Sequence, residues 1–323
     1  MSINTVLVTG GSGFIGSNLV ESLIKKNYTV ISLDNYDEFY NKHIKISNLK
    51  NISNSNSFTS IEGDVRNKEL LSTIFKNNDI DCVIHLAAKA GVRPSILNPI
   101  DYYDVNVNGL LCLLEAMKEG KVNKLINASS SSVYGNNIKI PYSENDNIDY
   151  PISPYAASKK AGELLNHTYH HLNNFDTINL RFFTVFGPRQ RPDLAIHKFF
   201  KHIYNGTPID IYGDGSTSRD YTYIDDIVQG ICNSINYLEN GSNIYENINL
   251  GGNSPIKLNE LIELIEKVTN KVFKKNYMPM QPGDVNKTYA DITKAKKLIR
   301  YAPSTSIENG LINFKNWYEE NKS

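Results

Sequence analysis

The chain opens on VLVTGGSGFIG, residues 6–16. Val6, Leu7 and Val8 read as a short buried strand. Gly10, Gly11, Gly13 and Gly16 break it, and Phe14, Ile15, Leu19, Val20, Leu23 and Ile24 follow at helical spacing. In a strand, a glycine turn and a helix in that order, the helix N-terminus turns free N–H groups and partial positive charge toward the turn. That suits a pyrophosphate, because glycine lets the backbone bend sharply and approach a phosphate closely. The spacing of Gly10, Gly13 and Gly16 is G-x-x-G-x-x-G. A second strand over 29–33 ends at Asp34, about 20 residues on. A carboxylate there accepts hydrogen bonds from an adenosine ribose and repels a 2′-phosphate, so the expected cofactor is NAD rather than NADP.

The pattern continues outward from that turn. Strands over 58–62, 81–86, 124–128 and 177–182 alternate with helices over 68–77, 102–119 and 154–173. This alternation predicts an α/β fold, a Rossmann-type doubly wound parallel sheet with helices on both faces. The Asn-rich stretch 41–57 reads as a surface insertion. Beyond about residue 187 prolines punctuate shorter elements, with helices near 195–205, 225–238 and 257–268. The expected organisation is an NAD-binding Rossmann domain, 1–187, and a smaller C-terminal α/β substrate lobe, 188–323, with the chain crossing between them more than once.

Composition narrows the partners. Lys plus Arg and Asp plus Glu both total 34 in 323 residues, which leaves no electrostatic footprint for nucleic acid or an anionic membrane. No apolar run approaches ~18 residues, and no leader-like apolar segment precedes the first strand. Cys82, Cys112 and Cys232 stand far apart among apolar residues and read as reduced core thiols, which points to the cytoplasm. The seven histidines show no metal spacing, so no metal is expected.

A second cluster carries chemistry: SSSSVYG at 129–135, then PYAASKK at 154–160. Tyr155 and Lys159 are spaced i, i+4 and project from one helix face. A protonated lysine beside a phenol stabilises the phenolate, so Lys159 is expected to lower the Tyr155 pKa. A tyrosine so placed exchanges a proton with a substrate alcohol.

Together these clusters resemble the extended branch of the short-chain dehydrogenase/reductase superfamily, over nearly the whole chain. TGGSGFIG is similar to that family's dinucleotide loop, which places Phe14 and Ile15 with the glycines on the cofactor and Asn35 beside Asp34. GDV at 63–65 resembles the segment that sets an Asp on adenine, implicating Asp64 and Val65. HLAA at 85–88 resembles the strand end near the cofactor, implicating Leu86, Ala87 and Ala88, and NVNG at 106–109 the helix whose structural Asn is here Asn106. Tyr155, Lys159 and Ser130 complete the catalytic set that the resemblance implies. It also implies a nucleotide-sugar substrate and a homodimer formed as a four-helix bundle by the helices 102–119 and 154–173.

Nucleotide-sugar dehydratases and UDP-glucuronate decarboxylases of this family carry an acid just before V-Y-G. Here Ser130, Ser131 and Ser132 stand there, which resembles an epimerase. RFFTVFGP, with Thr184, resembles the substrate-facing strand of sugar epimerases, and RPDLA at 191–195 resembles UDP-glucuronate 4-epimerases. The planar fork of Arg191 suits a sugar carboxylate. Thr184 and the serine hydroxyls would help hold it. A glucuronosyl group oxidised at carbon 4 is a β-keto acid, so an epimerase must keep its carboxylate out of line with the carbonyl π-system. PIDIYGDGSTSRDYTYIDD at 208–226 resembles the nucleotide-binding segment, which implies Ile211 and Tyr212 flanking the uracil and Arg219 on the diphosphate. MQPGDV at 280–285, with Asp284, resembles the last substrate loop. Arg93 faces either the substrate or a structural partner.

The resemblance therefore implies reversible 4-epimerisation of UDP-glucuronate to UDP-galacturonate with bound NAD. The alternatives are a 4-epimerase of UDP-N-acetylhexosamines or UDP-hexoses, then a UDP-glucuronate decarboxylase. A non-catalytic NAD-binding regulator would go with a broken Tyr-x-x-x-Lys pair, and the pair is intact.

Overall fold

The structure, a computed structural model, describes residues 2–279 and 287–321. In the first half β1 (Thr5–Thr9), α1 (Phe14–Lys25), β2 (Thr29–Asp34), α2 (Lys42–Asn48), β3 (Phe58–Glu62), α3 (Lys68–Asn77) and β4 (Cys82–His85) follow in turn. Then come α4 (Val92–Leu97), α5 (Pro99–Tyr103), α6 (Gly109–Glu119), β5 (Lys124–Ser130), α7 (Pro154–Asn173) and β6 (Asp176–Phe182). The remainder comprises β7 (Thr184–Phe186), α8 (Ala195–Asn205), β8 (Ile209–Tyr212), β9 (Ser218–Tyr223), α9 (Ile224–Asn240), β10 (Tyr245–Leu250) and β11 (Pro255–Lys257). It ends with α10 (Leu258–Thr269), β12 (Lys275–Met278), α11 (Thr293–Ile299) and α12 (Ile307–Asn321).

The main sheet has seven strands in the order β10-β6-β5-β4-β1-β2-β3, and every pair in it is parallel. Both faces are covered, so the inner strands read as continuous apolar runs. Leu7, Ile31, Leu33, Val83 and Leu125 pack on one face with Leu71 and Ile74 of α3 and Leu113 of α6. Val6, Val8, Val30, Ile84 and Ile126 pack on the other with Leu19 and Leu23 of α1 and Ile227 and Ile231 of α9. Each such side chain contributes roughly 1.5–3 kcal/mol by leaving water. The second core continues without a break into the smaller lobe, through Phe186, Ile211, Leu261 and Phe314.

The seventh strand, β10, comes from residues 245–250, beyond the cut at 187. The chain leaves the main sheet at the end of β6, lays down β7 and β9, returns through α9 to place β10, and then adds β11 to complete a three-stranded sheet in the order β11-β9-β7. The smaller lobe also pairs β12 with β8 in parallel.

Two expected elements differ. The helix expected over 102–119 is α5 leading through a wider π turn, Asp104–Asn108, into α6. Such insertions recur at functional positions, and this one points Asn106 into the interior. The insertion expected on the surface contains α2, whose start is capped by Asn41 accepting from the His43 N–H. Asn48 donates from α2 to the Ser12 carbonyl at 3.1 Å, so the segment lies against the glycine turn.

Candidate active site

The glycine turn is shaped by close approach. Gly10 has φ +72°, and a Cβ there would lie 2.8 Å from the Ala87 backbone nitrogen. A Cβ on Gly16 would lie 2.1 Å from the Gly10 carbonyl oxygen. Helix α1 starts after Gly13 with no side-chain cap, so its first N–H groups have no partner within the helix. They face a cleft of about 500 Å³ at the carboxyl ends of β1, β2, β4 and β5, where an open parallel sheet takes its ligand.

Asp34 closes the turn. Its carboxylate accepts from the Ser12 and Tyr36 N–H groups at 2.9 Å each. Burial raises its pKa, with those hydrogen bonds opposing the shift. The cleft therefore offers a close-approach glycine turn, a helix start without a side-chain cap and a buried carboxylate at a strand end, and these residues fit NAD. Phe14, Ile15, Asn35, Val65, Leu86, Ala87 and Ala88 line the same cleft.

Asp64 and Asn106 stand outside that lining. Asp64 accepts from Asn35 Nδ2 at 2.8 Å and pairs with Arg66, whose hydrogen bonds hold its carboxyl down to about 2. Asn106 clamps the loop after β4: its Oδ1 accepts from the Lys89 N–H at 2.8 Å and its Nδ2 donates to the Lys89 carbonyl at 2.9 Å. Both act on residues that reach the cleft.

The second cluster meets the first. Ser153 caps α7 by accepting from the Ala156 N–H at 3.1 Å, and Pro154 sits at the first helical position, which fixes the helix just before Tyr155. Tyr155, Lys159, Ser130, Ser131 and Ser132 all line the cleft. Lys159 Nζ donates to the Ala128 carbonyl at 2.7 Å. Burial pushes its ammonium down to about 8, against Glu163, which raises it. Burial likewise raises the Tyr155 pKa, with a Ser130 hydrogen bond and the Arg191 charge opposing. The expectation that Lys159 lowers the Tyr155 pKa is therefore corrected: desolvation of the phenol prevails, and the groups that favour the phenolate are Ser130 and Arg191. Where the dehydratases of the family carry an acid, Ser132 instead accepts from the Ser130 hydroxyl at 3.1 Å.

Thr184, at the start of β7, and Arg191 also line the cleft. Arg191 donates from Nε and Nη2 to the two oxygens of Asp193. Tyr212 and Arg93 lie outside the cleft lining but meet each other, the guanidinium 5.1 Å from the ring centre, where the lobes join. Ile211 is wholly buried in the core, so its side chain flanks no ligand; alternation along β8 turns only Tyr212 outward. Arg219, on β9, donates to the Ser218 carbonyl at 3.0 Å. Asp284 and the rest of 280–285 lie outside the described residues.

The sequence reading missed part of the lining. Phe39 and Tyr40, just before the insertion, Lys45 within it, and Lys89 and Tyr102 also face the cleft. Lys45 donates to the Asp37 carbonyl at 2.6 Å and stands 4.6 Å from the Tyr40 ring centre. The signal was three aromatics, Tyr36, Phe39 and Tyr40, in an otherwise polar stretch.

A parallel seven-stranded sheet with a glycine turn at its switch point and a Tyr-x-x-x-Lys helix beside it defines an extended short-chain dehydrogenase/reductase. Residues 7–314 match the family described as GDP-mannose 4,6 dehydratase, and the chain belongs to that family. It is 46% identical over 316 residues to a UDP-glucuronate 4-epimerase of Thermodesulfobacterium geofontis, across 98% of this chain and 96% of the relative. The crystal structure of UDP-glucuronic acid 4-epimerase from Bacillus cereus, in complex with UDP-glucuronic acid and NAD, superposes with TM-score 0.92. That match has 37% identity and covers 98% of this chain and 99% of that one. A UDP-N-acetylglucosamine 4-epimerase from Methanobrevibacter ruminantium is also similar, with TM-score 0.88 and 34% identity over 99% of both chains.

Proposed function

We propose that this protein is a UDP-glucuronate 4-epimerase, interconverting UDP-glucuronate and UDP-galacturonate with NAD bound. The observation that carries the reading is one cleft lined by Tyr155, Ser130 and Lys159 together with Arg191 and Thr184. The first group does alcohol chemistry, and the second meets a carboxylate.

Tyr155 takes the proton of the sugar's 4-hydroxyl and returns it to the same oxygen once carbon 4 has been reduced on its other face. Ser130 holds the phenol oxygen and relays its proton. Ser130 and the Arg191 charge favour the phenolate, and the Lys159 ammonium, charged below pH about 8, is assigned to the nicotinamide ribose. NAD, when bound, is the acceptor and donor of the hydrogen at carbon 4, and no net redox change results. Arg191, Thr184 and the serine hydroxyls keep the carboxylate away from the carbonyl π-system, so the 4-keto acid is reduced before it loses carbon dioxide. Tyr212 and Arg219 are assigned to the nucleotide, Asp284 to the last substrate loop, and Arg93 to the seam between the lobes. The chain divides into a cofactor domain, 1–187, and a substrate lobe, 188–323, with β10 returning to the first.

The protein works as a homodimer through α6 and α7. Leu111 on α6 and Leu164 and Leu172 on α7 are exposed, as are Ile100 and Tyr103 on α5, and exposed apolar side chains on these helices suit a second copy. Light scattering at micromolar concentration should give twice the chain mass. Three buried free thiols suit the reducing cytoplasm, and no described helix is long and apolar enough to cross a membrane.

Purified protein incubated with UDP-glucuronate, with and without added NAD, tests the reading by chromatography of the products. UDP-galacturonate is expected. UDP-xylose as the main product would replace the reading with a decarboxylase. Turnover of UDP-N-acetylglucosamine alone would replace it with a neutral-sugar epimerase.

A further inference from the structure

Arg191 does not meet the cleft with an open fork. Its Nε and Nη2 donate to Asp193 at 2.9 and 2.7 Å, a two-point pair between residues two apart in sequence. The Phe39 ring lies 5.1 Å from the guanidinium carbon and covers one face of the group. A guanidinium has two edges that take a carboxylate, and Asp193 occupies the Nε edge. The Nη1/Nη2 edge is the one left for a ligand. The side chains of Arg191 and Asp193 are 18% and 33% exposed, so the pair is only partly screened by water.

We infer that Asp193 is a positioning residue that makes the grip of Arg191 on the sugar carboxylate reversible. It fixes the guanidinium plane and competes for its charge. The inference rests on the uronate reading above. A 4-epimerase must turn the keto ring over between oxidation and reduction, so every group that holds the ring has to let go. A two-point pair between a carboxylate and an unopposed arginine is among the stronger contacts available to a side chain. On Arg191 alone it would pin the ring on one face. With Asp193 on the adjacent edge the cation is shared, and the two carboxylates repel each other. The substrate is then held loosely enough to rotate. Substrates without a carboxylate have no such anchor to release.

Steady-state kinetics of Asp193→Asn and Asp193→Ser with UDP-glucuronate, beside the wild type, test this. The freed arginine should tighten the ground state and retard the turn. KM should fall about three- to tenfold and kcat by at least as much. Asp193→Glu, which keeps the competing charge, should stay closer to the wild type in both constants. Unchanged constants, or a KM that rises in the Asn and Ser variants, would overturn the inference, because a merely structural role does not tighten substrate. A wild-type protein that converts only neutral UDP-sugars is a separate result: the uronate reading itself then fails, and this inference with it.

Discussion

The two walls of the cleft are built by different means. The cofactor wall is made of backbone: a glycine turn, an uncapped helix start and the ends of regular parallel strands, with Asp34 tying two N–H groups. The sugar wall is made of side chains on short strands and loops. It is held by a different buried carboxylate, Asp220, which accepts from the N–H groups of Gly252, Asn253 and Ala290 at 2.8–3.2 Å. A backbone cradle is generic, and suits a cofactor shared by a whole superfamily. A wall of long side chains paired among themselves can change its ligand by changing one pair, and that is where specificity resides.

The largest expected effect lies where the walls meet. Tyr155→Phe should lower kcat by about 10²–10⁴, the usual range for removing a general acid–base, while the folded protein still binds NAD. A variant with near-normal turnover would remove the proton-transfer assignment. On the cofactor wall, Gly16→Ala should destabilise the protein by about 2–4 kcal/mol and abolish NAD retention, because the new methyl meets the Gly10 carbonyl, which cannot yield. Thermal melting with and without NAD reads both effects. On the sugar wall, Asp220→Ala leaves buried N–H groups unpaired and should cost about 1–3 kcal/mol in denaturant unfolding, with Asp220→Asn milder. Equal losses at Gly16 and Asp220 in both stability and NAD binding would erase the distinction between the walls.

A smaller effect follows from pH. Burial holds Lys159 near 8, so raising the pH through that value removes a positive charge from the lining of the cleft. The profile of kcat should show an alkaline limb near pH 8. A kcat that keeps rising to pH 9 would contradict the role given to Lys159.

The difference between the walls also explains what was legible in the sequence. Backbone devices leave local signatures: Gly10, Gly13 and Gly16 at fixed spacing, Asp34 at a strand end, Tyr155 and Lys159 one helical turn apart. Each reached the expected place in the cleft. The strand ends at 62, 182 and the helix 154–173 fell where periodicity put them. Side-chain devices leave no such trace. The bond between Asp220 and Ala290 spans 70 residues, and the contact of Phe39 with Arg191 joins the segment after β2 to a distant loop. The π turn at 104–108 hides within helical periodicity. Ile211 failed as a ligand residue because alternation along β8 turns its side chain into the core. The raised pKa of Tyr155 was out of reach for the same reason: helix spacing predicts the neighbour but not the degree of burial.

The most direct test of the mechanism uses UDP-glucuronate deuterated at carbon 4, with the product analysed by mass spectrometry and proton NMR. A single bound cofactor that takes and returns the same hydrogen predicts UDP-galacturonate with the deuterium retained at carbon 4. Loss of the label to solvent, or its appearance in added free NAD, would contradict an epimerisation closed within this cleft.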